Sequence, residues 1–394
     1  MTATETAVGL RRALHADPEI GLLLPRTVER VLAALAPLDL EIHRSTRSSS
    51  FLAVIRGPER RVRRRAVILR ADMDALPVVE TTGLAYASAN GAMHACGHDL
   101  HTAALVGTAH RLAARRDRLR GDAVLLFQAG EEGLDGAGIL VAEGLLDAPG
   151  VDYAAAFALH VLADQQAGTI TSRPGAVTGS GTTVRAVFRG AGGHGATPHR
   201  AQDPIPALVA ALSQIPVALT RGVDAHRAVV FTPGFVHAGT RRNVIPDVAE
   251  FDATLRTFDP ETRERAVEII RRVIAGSAAA HGVAAEVDVT QGYPSVVVDA
   301  DEHAFASSIA REVFGSDMVA DAEAPAAMTE DFSRIAAIVP AWFGFLGARP
   351  EGADSVANHA SNAVFDDGVL AAAVDFETRW ALERLAALPD EEPA

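Results

Sequence analysis

Cysteine occurs once in 394 residues, at Cys96, so no intramolecular disulfide can form. That scarcity fits a reducing cytoplasm, which is the expected location. Lysine is absent, and all 36 basic side chains other than histidine are arginine. A GC-rich genome is the simplest reason, and no function is read from it. Positive charge is short overall. With a formal net charge of −14, neither nucleic acid nor an anionic membrane is an expected partner, because both require a basic face. No apolar run approaches the length of a membrane span. Residues 1–12 lack a basic stretch followed by an apolar core, so no signal peptide is expected. There is no internal repeat and no low-complexity tract.

What is present is an ordinary globular composition, 48% hydrophobic and 22% charged. The length predicts roughly two to three domains. Residues 4–14 are helical in pattern, and a second helix opens with Pro25 in its first turn. Residues 51–55 and 123–127 read as buried strands. The run 66–74 reads as a central parallel strand that delivers Asp72 and Asp74 at its carboxyl end. Glu131 and Glu132 follow the 123–127 strand, and a further strand over 154–159 ends at His160. Helices are expected over 102–114 and 136–145. The charge run 60–65 reads as a solvated loop or hairpin, and 390–394 as a frayed tail. Three apolar strands with ionisable residues at their ends, separated by helices, predict an α/β domain with a site along one sheet edge.

After Pro174-Gly175 the patterning changes. Strands over 182–188, 228–236, 248–256 and 285–290 and helices over 204–219 and 260–281 give the order β-α-β-β-α-β, a ferredoxin-like arrangement. Helices over 303–314 and 368–388 and a strand over 341–346 then resume the first pattern. The expected organisation is therefore one domain from 1–177 and 293–394, with 178–292 inserted into it.

The chemistry centres on Met93-His94-Ala95-Cys96-Gly97-His98-Asp99-Leu100-His101. A lone thiol is more often a small buried hydrophobe, but thiolate, imidazole and carboxylate together are the ligands of divalent transition metals. Cys96 and His98 flank one glycine, so both can reach a common ion from a tight turn. Adjacent acids such as Glu131 and Glu132 usually mark a solvated turn. Directly after a buried strand they repel unless a cation or shared proton holds them. His160 and His359 are individually weak, since a lone histidine is usually a satisfied structural residue. Together Cys96, His98, Glu132, His160 and His359 make five ligands, enough for two ions if some ligands or a water bridge. Glu131, not spent on metal, is the candidate general base. Thiolate and imidazole favour zinc, nickel or cobalt, and carboxylate also admits manganese. His94, Asp99 and His101 are supporting residues in this reading.

Six motifs appear in order: Arg70-Ala-Asp-Met-Asp-Ala-Leu-Pro77, the 93–101 stretch, Phe127-Gln-Ala-Gly-Glu-Glu-Gly133, Gly192-Gly-His-Gly-Ala-Thr-Pro-His199, Asn243-Val-Ile-Pro-Asp247 and Glu330-Asp-Phe-Ser333. The ordered set resembles the co-catalytic metallopeptidase family of N-acyl-amino-acid amidohydrolases, which includes hippurate hydrolases, indoleacetyl-amino-acid hydrolases and N-acetyl-diaminopimelate deacetylases. The resemblance implies a catalytic domain with a mixed, largely parallel sheet between helices, and an inserted ferredoxin-like lid and dimerisation domain. It implies metal ligands at Cys96, His98, Glu132, His160 and His359, Glu131 as base, and a homodimer. It also implies that His194 stabilises the oxyanion in the partner subunit's site, and that Asn243 and Arg256 lie near the substrate carboxylate. Asp72 resembles an acid that orients a histidine ligand, and could equally support the loop.

Departures include bulky Phe51 in place of a small Thr-Gly pair, Leu24-Pro25 in place of an acid, Ala129-Gly130 in place of Pro-Ala, and no lysine near Gly138. None removes a ligand or the base. The expected activity is hydrolysis of the amide bond of N-acetyl, N-benzoyl or N-arylacetyl amino acids. Carboxypeptidase or dipeptidase action is the alternative within the family. A catalytically silent metal-dependent binding protein is the alternative outside it, and the complete set of base and ligands counts against that.

Overall fold

The computed structural model describes residues 2–58 and 64–388. Most of the 60–65 charge run and the whole 390–394 tail lie outside the described residues. The chain divides into two compact units, one of residues 1–177, 296–324 and 331–394 and one of 178–295 and 325–330.

The first unit is built on an eight-stranded sheet. Its order is Glu41–Arg44, Phe51–Ile55, Asp122–Gln128, Arg64–Asp72, Val151–Gln166, Ala341–Arg349, Ile170–Ser172 and Val319–Asp321. The central strands pair in parallel: Arg64–Asp72 with both Asp122–Gln128 and Val151–Gln166, and Val151–Gln166 with Ala341–Arg349. Flanking pairs such as Phe51–Ile55 with Asp122–Gln128 are antiparallel. Continuous apolar runs suit this centre, because a parallel strand is covered on both faces; Val67, Ile68, Leu69 and 123–127 are fully buried. Helices Ala3–His15, His98–Ala113 and Leu370–Ala386 pack on one another, and the last two pack on the Arg64–Asp72 strand. Gly107 permits the close helix approach, since a Cβ there would stand 2.7 Å from Val374 Cγ2. Phe157, Trp342, Phe376 and Trp380 form an aromatic cluster beneath the sheet, with Phe157 and Trp342 stacked at 4.6 Å.

Two of the boundaries that differ from the sequence expectation bear on the site. The third helix begins at His98, directly after Gly97 at φ 82°, and not at residue 102. His160 lies inside a sixteen-residue strand, not at its end. Pairing with Arg64–Asp72 stops at Arg70 opposite Ala158, while pairing with Ala341–Arg349 continues through His160 and Val161. The polar tail Asp164-Gln165-Gln166 hides that continuation in the sequence. The short strands Glu41–Arg44, Ile170–Ser172 and Val319–Asp321 also carry too little pattern to be read beforehand.

The second unit has a four-stranded antiparallel sheet in the order Val230–Ala238, Val248–Thr257, Ser180–Arg189 and Ala284–Gln291. With helices Pro204–Gly222 and Pro260–Ala280 it has the connectivity of a split βαβ fold. Asp203 and Asp259 cap these helices through their first free amides. Phe188, Leu208, Phe251, Leu255 and Ile269 are among its core residues. The helix Pro204–Gly222 corrects the expectation of no span-length apolar segment: its 19 residues are apolar enough to cross a membrane by length and composition. Its inner residues Ala207, Leu208, Ala211 and Ile215 are instead buried in this core. Its outer face remains apolar, with Val209 and Val217 each 54% exposed.

Candidate metal centre

The tight turn before the third helix depends on Gly97. Its φ of 82° is left-handed, and a Cβ there would come within 2.3 Å of Val161 Cγ2. The turn brings Cys96 Sγ to 3.4 Å from His160 Nε2 and 3.3 Å from His359 Nε2. His359 Nε2 lies 3.1 Å from Glu132 Oε1. Donor atoms of Cys96, His98 and His160 fall within 4.8 Å of one another, as do those of Cys96, Glu132 and His359 and those of His98, Glu131 and Glu132. The structure therefore gathers six sequence-selected residues into overlapping groups in the first unit.

Two of the imidazoles are held with a defined nitrogen facing inward. His98 Nδ1 donates to the Asp74 carbonyl at 2.8 Å, which leaves Nε2 to face the cluster. That Nε2 is buried and, among the described residues, has no hydrogen-bond partner. His160 Nδ1 donates to the Val161 carbonyl at 2.9 Å, leaving Nε2 toward Cys96. A carbonyl can only accept, so each bond fixes the tautomer. The paired acids are held by one residue: Glu131 N–H donates to Asp74 Oδ1 at 3.1 Å and Glu132 N–H to Asp74 Oδ2 at 3.0 Å. His359 adopts a left-handed φ of 71°, uncommon for a residue with a Cβ. Its loop is tied by His359 N–H to the Ala95 carbonyl, and by Asn358, whose amide bridges Ala163 N–H and the Val161 carbonyl.

The electrostatics follow from these contacts. Burial raises the Cys96 thiol, but His160 and His98 and hydrogen bonds from His160 and His359 hold it well below its usual range. Burial lowers His98, but Asp72 and Cys96 outweigh it and raise the imidazole well above its usual range. Hydrogen bonds to Cys96 and Glu132 push His359 up to about 10. Burial raises Glu132. The thiolate and carboxylates thus favour the protonated forms of His98 and His359, and a cation binding these donors would compete with those protons. One sulfur, three imidazoles and two carboxylates suit zinc, cobalt, nickel or manganese, so the residues present fit divalent metal.

Asp72 bonds a histidine other than the six gathered residues. Its Oδ2 is 3.6 Å from His98 Nε2, beyond hydrogen-bond distance, whereas Oδ1 bonds His101 Nδ1 at 2.6 Å and Oδ2 accepts from Arg70 at 2.8 Å. The orienting group for His98 is Asp74, two residues on, where the chain leaves the sheet. Neither Asp74 nor Asn358 has an assigned role in the sequence expectation, although Asp74 stands inside the 70–77 motif. Asp99 pairs with Arg11 and His15.

His194, Asn243 and Arg256 belong to the second unit. Gly193–His194 pairs with Val244–Ile245, and Gly195 N–H bonds the Asn243 carbonyl. Ala196 N–H donates to His194 Nδ1 at 3.0 Å, so the proton of the neutral ring is on the exposed Nε2. Arg256 is partly buried, and burial alone lowers it; among the described residues no carboxylate pairs with it. Gly181 leaves room for it, since a Cβ there would meet Arg256 Nη1 at 2.8 Å.

Residues 68–383 match the profile of peptidase family M20/M25/M40. Thermostable carboxypeptidase 2 of Saccharolobus solfataricus is 32% identical over 368 residues, 92% of this chain and 91% of that one. The N-acetylcysteine deacetylase of Bacillus subtilis is 35% identical over 342 residues, 86% of this chain and 87% of that one. Among solved structures, the Bacillus subtilis YXEP protein, a dinuclear metal-binding peptidase from the M20 family, superposes with a TM-score of 0.84. It is 32% identical and covers 98% of this chain and 99% of its own.

Gly97→Ala is expected to destabilise the chain by roughly 1–3 kcal/mol, the cost of a strained left-handed residue, and to reduce bound metal. Denaturant unfolding and metal analysis check this; unchanged metal content would contradict the geometry.

Proposed function

The chain belongs to peptidase family M20/M25/M40, and on that premise we propose that it is a metal-dependent amidohydrolase cleaving N-acyl amino acids to a carboxylate and a free amino acid. The observation that carries this is the Glu131–Glu132 pair, held through its amides by Asp74 beside the imidazole of His98. Two adjacent carboxylates so placed can divide their work, one binding a cation and the other moving protons.

In this reading Cys96, His98, Glu132, His160 and His359 hold two divalent ions. When bound, such ions polarise a scissile carbonyl and acidify water at neutral pH. Glu131 accepts the proton of the attacking water and passes it to the departing amine. His194, contributed by a second copy, donates its Nε2–H to the developing oxyanion; the tautomer set by Ala196 supports that role. Arg256, with Asn243, receives the substrate carboxylate, an anion that among the described residues the guanidinium lacks. The acetyl, benzoyl or arylacetyl nature of the acyl group is read from the family resemblance. The carboxypeptidase relatives support a second reading, in which the acyl group is itself an amino acid or peptide. Arg256 serves either substrate.

The homodimer forms through residues 178–292 in this proposal. Its support is the apolar outer face of Pro204–Gly222 and the edge strand Val230–Ala238, with Phe235 and Val236 about half exposed.

Glu131→Gln should abolish turnover of N-acetyl and N-benzoyl amino acids while leaving metal content unchanged. Near-normal activity in that variant sinks the assignment. Sedimentation of the intact chain should give a dimer at micromolar concentration, and a monomer there contradicts the proposed interface.

A further inference from the structure

The motif Glu330-Asp331-Phe332-Ser333 has no part in the chemistry just described, yet Asp331 is fully buried in the first unit. Its carboxylate accepts from the Gln128 amide at 2.8 Å and from Ala137 N–H at 2.9 Å, and pairs with Arg70 Nη2 at 3.0 Å. Arg70 also donates from Nε to Gln128 at 2.9 Å and from Nη1 to Asp72 at 2.8 Å. Asp72 in turn bonds His101 Nδ1 at 2.6 Å. His101 Nε2 accepts the Val161 N–H at 2.8 Å.

That last bond lies beside His160. The neighbouring strand stops pairing at Arg70 opposite Ala158, so the chain carrying His160 runs beyond it. There the His101 ring takes the place of a backbone acceptor for Val161. An N–H donor requires a lone pair, so Nε2 is unprotonated and the ring proton is on Nδ1, facing Asp72. The His101 ring also packs against His160, with centroids 4.8 Å apart, and against His98 at 5.5 Å. All five side chains of the relay, Asp331, Gln128, Arg70, Asp72 and His101, are buried.

We infer that His101 is a positioning residue for the metal ligand His160, held in one tautomer by a buried relay that runs through Asp72 and Arg70 to Asp331. The inference rests on the metal-centre reading above. His101 touches no reacting atom in it. It fixes the strand position and ring packing of His160, so its loss acts on metal affinity before it acts on chemistry. A core histidine with only a packing role would change stability and leave the ion's surroundings alone.

The test uses the full chain freed of metal and titrated with Co²⁺ by absorbance and with Zn²⁺ against a chromophoric chelator. Wild type should take up two equivalents. His101→Gln should bind one of them about 10–100-fold more weakly, the usual cost of losing a group that orients a ligand, and should shift the Co²⁺ absorption bands. Asp331→Asn keeps the side-chain shape but not the charge facing Arg70, and should weaken the same equivalent by a smaller factor. Wild-type affinity and spectrum in both variants, whatever their melting temperatures, overturn the inference. If His101→Gln does not fold, the Asp331→Asn titration decides by the same criterion. Wild-type protein that takes up no ion overturns the metal-centre reading itself, and the inference with it.

Discussion

Asp74 bonds three residues of the site at once, and the rest of the centre depends on that convergence. Its carbonyl takes the His98 Nδ1–H, and its two carboxylate oxygens take the amides of Glu131 and Glu132. Adjacent carboxylates in a buried loop repel each other and lose hydration, so their backbone needs a fixed anchor. The anchor must also reach the turn carrying Cys96 and His98. A residue just past the end of a central parallel strand meets both needs, because loops from neighbouring strands converge there.

The same kind of bonding fixes the other donors. His98 and His160 have their outer nitrogens occupied by carbonyls, and the His359 loop is tied by Asn358 and by its own backbone N–H. Hydrogen bonds from His160 and His359 to Cys96, and the His359–Glu132 contact, hold the donors together through protons that a cation would replace. The second unit carries a different kind of group: an exposed imidazole with its proton outward and an arginine that, among the described residues, has no carboxylate partner. In the proposed function the first unit supplies the hydrolytic chemistry and the second the recognition of charge.

Much of this was legible beforehand, for physical reasons that differ from part to part. Continuous apolar runs marked the parallel strands, and the ionisable residues after them marked the site edge. Cys96, His98, Glu131 and Glu132 could be found because ligand types clustered within a few residues. His160 was read as a strand end but lies inside a longer strand, since the strand's polar tail breaks the apolar pattern. Asp74 and Asn358 were passed over because hydrogen bonding between loops, not residue type, gives them their roles. Asp72 and Asp74 look alike in sequence, and only the register of the departing strand separates the acid that bonds His101 from the residue that bonds His98. The return of residues 325–330 to the second unit has no hydrophobic period to announce it.

The central claim is that these donors form a two-ion hydrolytic site. Its most direct test is calorimetric titration of the metal-free chain with Zn²⁺ or Mn²⁺, with hydrolysis of an N-acyl amino acid followed at each addition. The account predicts saturation at two ions per chain, with amide hydrolysis returning as the sites fill. Hydrolysis that persists in the metal-free protein, or a chain that saturates without binding two ions, would contradict it.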